Sequence, residues 1–270
     1  MTDDSQPHGS TLSRRRLLHL TGAAAFLSAC TYPETAEPRA KPSATMAPSP
    51  QPTMAAQTSA PVLAPAAPAS SAMSVSGIEL CRDAWGARPP RPGGRPHTIT
   101  RMTIHHTAVV LGENSNIISR LQQHQRYHQD EKGWVDIAYH VGVDRNGNIF
   151  ELRTPAIAGD TATNYDTTGH FLVVCEGNFD VEPVSEEQLN GAALAFAWAS
   201  QEFGVTSNTL ASHLEVTPTT ACPGANLQAR VASGDLKRRI DDIVIAGPID
   251  LQVFCGPGAA AQVAAIEAGR

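Results

Sequence analysis

Apolar residues along the chain fall into short runs that alternate with longer amphipathic stretches. Runs rich in Ile and Val predict strands at residues 98–105, 137–143, 148–152 and 171–176. Helical spacing of apolar positions predicts helices at residues 116–128, 185–203 and 227–244. Because strands interleave with helices, the pattern predicts an α/β fold in which helices pack on the faces of a sheet.

Two local signals sharpen this pattern. Ser185 and Gln188 form the capping-box sequence that starts the predicted helix at 185. Asn146-Gly147 separates two of the predicted strands, and this dipeptide readily adopts the positive φ of a tight turn. Residues 137–152 are therefore expected to form a β-hairpin.

The first 29 residues have the composition of an export signal. Three consecutive arginines, at 14–16, precede a short apolar stretch at 17–27, in an order that resembles a twin-arginine signal. The segment ends in Leu-Ser-Ala-Cys, which resembles a bacterial lipobox with Cys30 as the lipidated residue. We expect an exported lipoprotein that is anchored to the membrane, faces the cell wall and begins at Cys30; the general secretory route remains an alternative.

A biased segment at residues 30–73 separates this signal from the rest of the chain. Of the 43 residues after Cys30, 31 are Pro, Ala, Ser or Thr. Such a segment buries too little apolar surface to offset its ordering entropy, so we expect a disordered linker. It would reach roughly 40 Å as a coil and on the order of 130 Å when extended. Residues 74–270 remain as a single folded domain, long enough for one core.

Charge and hydropathy argue against nucleic acid as a partner and against a membrane-spanning helix. The chain of 270 residues has a formal net charge of -6 and no basic cluster beyond the arginine run, which argues against nucleic acid as a partner. No apolar run reaches the roughly 18 residues that a spanning helix needs.

Four cysteines remain for an oxidising compartment once Cys30 is assigned to lipid. Cys175 lies in an apolar run and is expected to be a buried hydrophobic residue. Cys81 and Cys255 flank the domain and are a possible disulfide, although the sequence alone does not fix the pairing. Cys222 differs, because it follows His213 after a loop of eight residues.

The spacing of His213 and Cys222 permits both side chains to bind one metal ion. A catalytic zinc site takes three ligands from His, Cys, Asp or Glu and leaves a fourth position open. His105 or His106, at the end of a predicted strand, could supply the third ligand. On spacing alone this signal is weak, and surface histidines beside a buried thiol explain it better than a metal site does.

Five segments together carry a family resemblance that covers nearly the whole domain. They are RDAWGARPP, ITRMTIHHTA, HQDEKGWVDIAYHVGVDRNGNIFELR, CEGNF and SHLEVTPTTACPGANL. In order and spacing they resemble the peptidoglycan recognition protein and zinc-dependent N-acetylmuramoyl-L-alanine amidase family. The resemblance implies a mixed β-sheet flanked by helices, with a zinc site in a groove on one face.

The resemblance also implies roles for single residues. His105, His213 and Cys222 match the zinc ligands, and Tyr139 and Thr220 match the catalytic tyrosine and threonine. The predicted strand at 171–176 is apolar at the position where some related amidases carry a glutamate, so assistance by Tyr139 is expected instead. Asn164 matches a substrate-binding asparagine, although the histidine that commonly precedes it is replaced in this sequence.

Three further positions match residues that accompany recognition of diaminopimelate in the peptide stem. Gly133 would leave room for the substrate, Trp134 would form an apolar wall, and Arg153 would hold a carboxylate with two hydrogen bonds. The alternative is structural: Trp134 packs in the core and Arg153 pairs with a neighbour such as Asp144 or Glu151.

Two functions are consistent with this sequence. One is zinc-dependent hydrolysis of the amide bond between N-acetylmuramic acid and L-alanine of peptidoglycan. The other is a non-catalytic lipoprotein that binds or senses peptidoglycan. Binding-only relatives tend to lack the cysteine ligand, so the presence of Cys222 favours the enzyme.

The anchoring hypothesis predicts the behaviour of a Cys30→Ala variant. The substitution should release the protein from membranes or leave it unprocessed, because a single acyl chain binds only marginally whereas a diacylated terminus binds firmly. Membrane fractionation measures this, and an unchanged membrane fraction would refute lipidation at Cys30.

Overall fold

The computed structural model describes residues 74–270, all of which lie within one unit of tertiary contacts. The predicted signal peptide, the lipidated Cys30 and the linker up to residue 73 lie outside these residues. The predicted α/β fold is confirmed over the described part of the chain.

Seven strands form one mixed sheet. They are β1 (Val75–Leu80), β2 (Arg101–His106), β3 (Val141–Val143), β4 (Ile149–Glu151), β5 (His170–Cys175), β6 (Leu210–Ser212) and β7 (Ile249–Phe254). Their order across the sheet is β6-β2-β5-β3-β4-β1-β7. The β3–β4 pair is antiparallel, and the other neighbouring strands are parallel.

The antiparallel pair is the predicted hairpin, which the register of Val143 opposite Ile149 confirms. Asp144 holds the turn, because its carboxylate accepts hydrogen bonds from the backbone N–H groups of Asn146 and Asn148 at 2.9 Å. Gly147 has a φ of 81° at this turn. The strand is shorter than predicted, since residues 137–140 run as irregular backbone before β3.

Six α-helices accompany the sheet in the described residues. They are α1 (Ile117–Arg126), α2 (Glu186–Phe203), α3 (His213–Val216), α4 (Ala225–Ala232), α5 (Asp235–Ala246) and α6 (Gly256–Glu267). Ser185 caps α2 as predicted, because its side chain accepts a hydrogen bond from the Gln188 backbone N–H. No helix in residues 74–270 combines the length and the apolar character that crossing a membrane requires.

The predicted helix at 227–244 is divided in two. Gly234 separates α4 from α5 and has a φ of 76°, a left-handed conformation that interrupts helical hydrogen bonding. The apolar spacing continues across this break, so the sequence pattern alone reads as one helix.

Apolar side chains pack on both faces of the sheet. On one face, alternate residues of β5 such as Val173 and Cys175 contact a layer built from α2 and α5. On the other face, Val174 packs with Leu121 of α1 and Val263 of α6. The alternation of strand side chains therefore assigns each strand residue to one of two cores.

The structure pairs Cys81 and Cys255 in a disulfide, a pairing that the sequence left open. Cys81 follows β1 and Cys255 follows β7, and these two strands are parallel neighbours that end together. The sequence analysis missed both strands as well as β6 and α6. The bond joins the C-terminal helix to the start of the domain, across 174 residues of chain.

Loss of this disulfide should destabilise the domain measurably. In the chain-entropy model, a loop of this length corresponds to a stabilisation of up to about 5 kcal/mol. A Cys81→Ser, Cys255→Ser double variant should therefore have a markedly lower urea midpoint than the parent protein. Reductant should lower the parent midpoint and leave the variant unchanged; equal midpoints for parent and variant would contradict the assignment.

Candidate metal centre

The register of parallel strands brings two distant histidines together. Ile104 of β2 lies opposite Ser212, the last residue of β6, so His105 of β2 and His213, which directly follows β6, lie at the same edge of the sheet. Their rings lie 4.6 Å apart between centroids. Ser212 also caps α3 in a capping box with Glu215, which fixes the backbone where His213 begins this short helix.

Cys222 reaches the same point from the loop after α3. Its Sγ atom accepts a hydrogen bond from the His106 backbone N–H at 3.3 Å and lies 3.7 Å from His105 Nδ1. Thr220 Oγ1 accepts a hydrogen bond from the Cys222 backbone N–H at 3.1 Å. A Cβ on Gly224 would lie 2.7 Å from the Phe179 backbone, so this loop packs too closely for a side chain there.

His105, His213 and Cys222 each offer a ligand atom, and these atoms all lie within 4.8 Å of one another. Two imidazoles and a thiol are a ligand set suited to zinc, with bonds of roughly 2.0 Å to nitrogen and 2.3 Å to sulfur. The predicted triad is thus assembled from three distant parts of the chain, and its chemistry fits a zinc ion. His106, the other candidate, faces the opposite side of the sheet and stacks against Phe179.

Burial sets the protonation of these groups in the absence of metal. Burial, with His213 nearby, holds the pKa of His105 well below its ordinary value. Burial and His106 lower the pKa of His213 to about 4, so both rings are neutral at pH 7 and have lone pairs available to a cation. Burial raises the pKa of the Cys222 thiol to about 12, and a metal ion would displace its proton on binding.

Thr163 and Tyr165, which the sequence analysis missed, hold the two histidines. Thr163 Oγ1 lies 2.7 Å from His213 Nε2, and the Tyr165 hydroxyl lies 3.3 Å from His105 Nε2. Tyr165 contacts Nε2 of His105, the ring nitrogen that does not face Cys222. Thr163 contacts Nε2 of His213 and leaves Nδ1 of that ring available. Asn164, the predicted substrate residue between them, is exposed. No motif marks Thr163 and Tyr165; only the folded loop reveals them.

Tyr139 connects the triad to an open groove. Its ring centroid lies 5.1 Å from that of His105. Tyr139 also lines a cavity of about 660 Å³, together with His124 of α1 and His128, which lies two residues beyond the end of α1. Burial, with Cys222 as the next contributor, raises the pKa of the Tyr139 hydroxyl, which therefore remains protonated. A neutral phenol beside the triad is a hydrogen-bond donor for an oxygen that gains negative charge.

Gly133, Trp134 and Arg153 line a second cavity of about 400 Å³. Gly133 has a φ of 71° with open space around it, and the Trp134 ring lies 4.8 Å from His128. These positions lie together, as the resemblance implied.

The predicted role of Arg153 as a fork for a substrate carboxylate conflicts with its surroundings. The side chain is 2% exposed, and its guanidinium donates to the carbonyl oxygens of Asp136, Ile137 and Ala158 and to the Asp160 carboxylate. Four of its five N–H groups are thus engaged within the chain. Its carboxylate partner is Asp160 rather than the suggested Asp144 or Glu151.

Comparison with known proteins gives the family of this domain. The family model for N-acetylmuramoyl-L-alanine amidase matches residues 95–225, a span that contains His105, His213 and Cys222. Residues 95–225 belong to the N-acetylmuramoyl-L-alanine amidase family. Strands β2 to β6 lie within these residues, whereas β1 and β7 lie outside them.

Relatives of the domain carry two kinds of name. Peptidoglycan-recognition protein SC2 of Drosophila melanogaster is 28% identical over 160 residues, which cover 58% of this chain and 86% of the relative. The N-acetylmuramoyl-L-alanine amidase of Sus scrofa is 29% identical over 196 residues, covering 64% of this chain and 32% of the relative. The structure of wild-type Drosophila PGRP-LB is 26% identical with a TM-score of 0.52, covering 59% of this chain and 94% of that one. The family and fold implied by the sequence are therefore confirmed.

The contact of Thr163 with His213 predicts an effect on metal affinity. Thr163→Val should lower zinc affinity roughly 10- to 100-fold, because partners of ligating histidines orient the ring and raise its basicity. Competition with a chromophoric chelator measures this. Asn164→Ala, one residue away and exposed, is the matched control and should leave zinc affinity unchanged; equal losses in both variants would show a general effect of the loop.

Proposed function

We propose that the protein is a zinc-dependent amidase that hydrolyses the bond between N-acetylmuramic acid and L-alanine of peptidoglycan. The observation that carries this proposal is the convergence of His105, His213 and Cys222 beside Tyr139, at the end of an open groove. Three ligands leave one position open on a tetrahedral ion, the arrangement typical of catalytic rather than structural zinc.

Several residues of the chain would have separate roles in amide hydrolysis. Zinc, when bound, supplies Lewis acidity that polarises a carbonyl and acidifies water. Tyr139, kept protonated by burial, donates a hydrogen bond to the amide oxygen as charge develops on it. Thr220 holds the Cys222 backbone through its Oγ1, and its hydroxyl hydrogen remains available to orient the same oxygen. Thr163 and Tyr165 fix the two imidazole planes.

The comparisons support a muropeptide as the substrate class. A variant of Drosophila PGRP-LB, 26% identical to this chain, has been solved in complex with tracheal cytotoxin. Tracheal cytotoxin is a monomeric diaminopimelic acid-type peptidoglycan. In this chain, His128 lines the cavity beside Tyr139 and contacts Trp134, which lines the second cavity, so a stem peptide bound across the two cavities would pass these rings.

The alternative function is binding or sensing of peptidoglycan without hydrolysis, and the relatives named recognition proteins favour it. Both functions predict that the groove binds muropeptides. They differ in the product: an amidase releases a peptide with a free L-alanine amino group, whereas a binding protein leaves the muropeptide intact.

We further propose that this activity faces the cell wall from a membrane anchor. The proposal rests on the lipobox-like sequence ending at Cys30 and on the Pro- and Ala-rich segment up to residue 73. A tether of this length would let the domain reach peptidoglycan away from the bilayer.

Cys222→Ala should abolish both zinc binding and hydrolysis while the fold persists, because the ligand lies in a loop outside the two cores. Muropeptides digested with zinc-loaded parent protein should release the stem peptide, detected by mass spectrometry, and digestion with the variant should not. Metal analysis of the variant should find no stoichiometric zinc.

The control is Cys175→Ala, which removes the other free thiol of residues 74–270 from the core and leaves the three residues of the triad in place. This variant should keep zinc and the product pattern, even if its thermal stability falls. Intact muropeptides after incubation with the zinc-loaded parent would reject the amidase and favour the binding function.

A further inference from the structure

Glu176 is a buried carboxylate that the proposed chemistry does not use. It follows β5 directly and is 1% exposed, yet neither carboxylate oxygen has a hydrogen-bond partner among residues 74–270. Its backbone is fixed, because its N–H donates to Val143 and its carbonyl accepts a hydrogen bond from the Gln188 side chain. A carboxylate left in this state costs free energy, which makes its presence beside a groove informative.

The position of Glu176 on the strand directs it towards α1. Cys175 packs in the core on the α2 side, whereas Val174 packs in the core on the α1 side. Since strand side chains alternate, Glu176 lies on the α1 face with Val174. Val174 is also the register partner of His105. Glu176, two residues after Val174, therefore lies on the same face as His105 and beyond it along the sheet.

On that face, Glu176 meets His124 of α1. His124 Nε2 lies 3.3 Å from Glu176 Oε2, in contact but not aligned as a hydrogen bond. The His124 side chain is 14% exposed and lines the same cavity as Tyr139. Its second nitrogen, Nδ1, makes no hydrogen bond within the described residues and is absent from their buried unpaired atoms, so it is accessible from the cavity.

We propose that Glu176 and His124 form a carboxylate–imidazole dyad that positions the peptide stem in the groove. His124 contacts the substrate through Nδ1, and Glu176 acts through His124 as a positioning residue. The inference rests on the proposed function, and it deepens that function by assigning a peptide contact outside the metal centre.

The dyad specifies the kind of group that it binds. An ionised carboxylate only accepts hydrogen bonds, so the ring nitrogen that faces Glu176 must carry the proton. In the neutral ring, Nδ1 is then an acceptor, and its partner is an N–H group of the stem peptide, either an amide or an amine. Bound ligand fixes the ring and brings Nε2 into line with the carboxylate, as active-site hydrogen bonds tighten on complex formation.

The test measures muropeptide binding by calorimetry to the full chain held in chelator, where metal-dependent hydrolysis is blocked. The probe is a purified N-acetylmuramyl tetrapeptide. His124→Phe and Glu176→Leu should each weaken binding about tenfold, and the double variant should bind no more weakly than the worse single variant. Glu176→Gln retains an acceptor oxygen for Nε2 and should recover most of the affinity.

A matched control separates this role from a structural one. Glu79 is also a buried glutamate, but it lies on β1, three strands from β5 in the sheet, and Glu79→Leu should leave the affinity unchanged. Glu176→Leu should unfold at the same temperature as the parent or higher, because it removes a buried carboxyl group that lacks hydrogen-bond partners among the described residues. In the zinc-loaded protein, Glu176→Leu should raise KM with little change in kcat.

Each other outcome overturns one specific claim. Parental affinity in His124→Phe, or additive losses in the double variant, would reject the dyad and leave the amidase proposal intact. Dyad-dependent binding by a zinc-loaded parent that releases no peptide would retain the dyad and reject the amidase. Absence of binding by the chelated parent would reject the dyad. If the zinc-loaded parent also left the muropeptide intact, the proposed function would be rejected too.

Discussion

The parallel pairing of β2 with β6 on one side and with β5 on the other is the constraint on which the rest of the site depends. Parallel strands end at the same edge of a sheet, so residues far apart in sequence emerge side by side without any loop having to carry them there. His105 lies near the end of β2, and His213 directly follows the neighbouring strand β6. A shift of one residue in this register would turn His105 into the opposite core.

Burial explains why this edge is suited to a metal ion. The imidazoles of His105 and His213 are removed from water, which is the main cause that lowers their pKa values and keeps them neutral; His213 lowers the pKa of His105 further, and His106 that of His213. Two neutral rings and a thiol are a set of ligands that could hold a metal ion. The loop at 161–165 fixes the rings from outside, so the site's geometry depends on contacts among strands, a helix start and two loops.

Under the proposed function, the same edge of the sheet would serve substrate contacts as well as metal binding. β5 ends beside β2, and Glu176, the next residue, contacts His124 of α1, which lines the groove together with Tyr139. Arg153 has a different part in this arrangement. Its guanidinium ties the irregular segment that leads to Tyr139 to the segment at 158–160, so its contribution to the site is the shape of the backbone around Tyr139.

The sequence by itself determined the family, the α/β class, the hairpin at Asn146-Gly147 and the identity of His105, His213 and Cys222 as a candidate triad. These features depend on local periodicity, turn chemistry and ordered motifs, all of which are properties of neighbouring residues. The short strand β6 and the division of α4 from α5 escaped, because three residues carry no period and apolar spacing continues through Gly234. Only the tertiary structure decided the Cys81–Cys255 pairing, the hydroxyls of Thr163 and Tyr165 on the histidines, the burial of Arg153 and the meeting of Glu176 with His124. Each of these depends on which side chains a fold places in contact across long stretches of chain, and that information is absent from any local pattern.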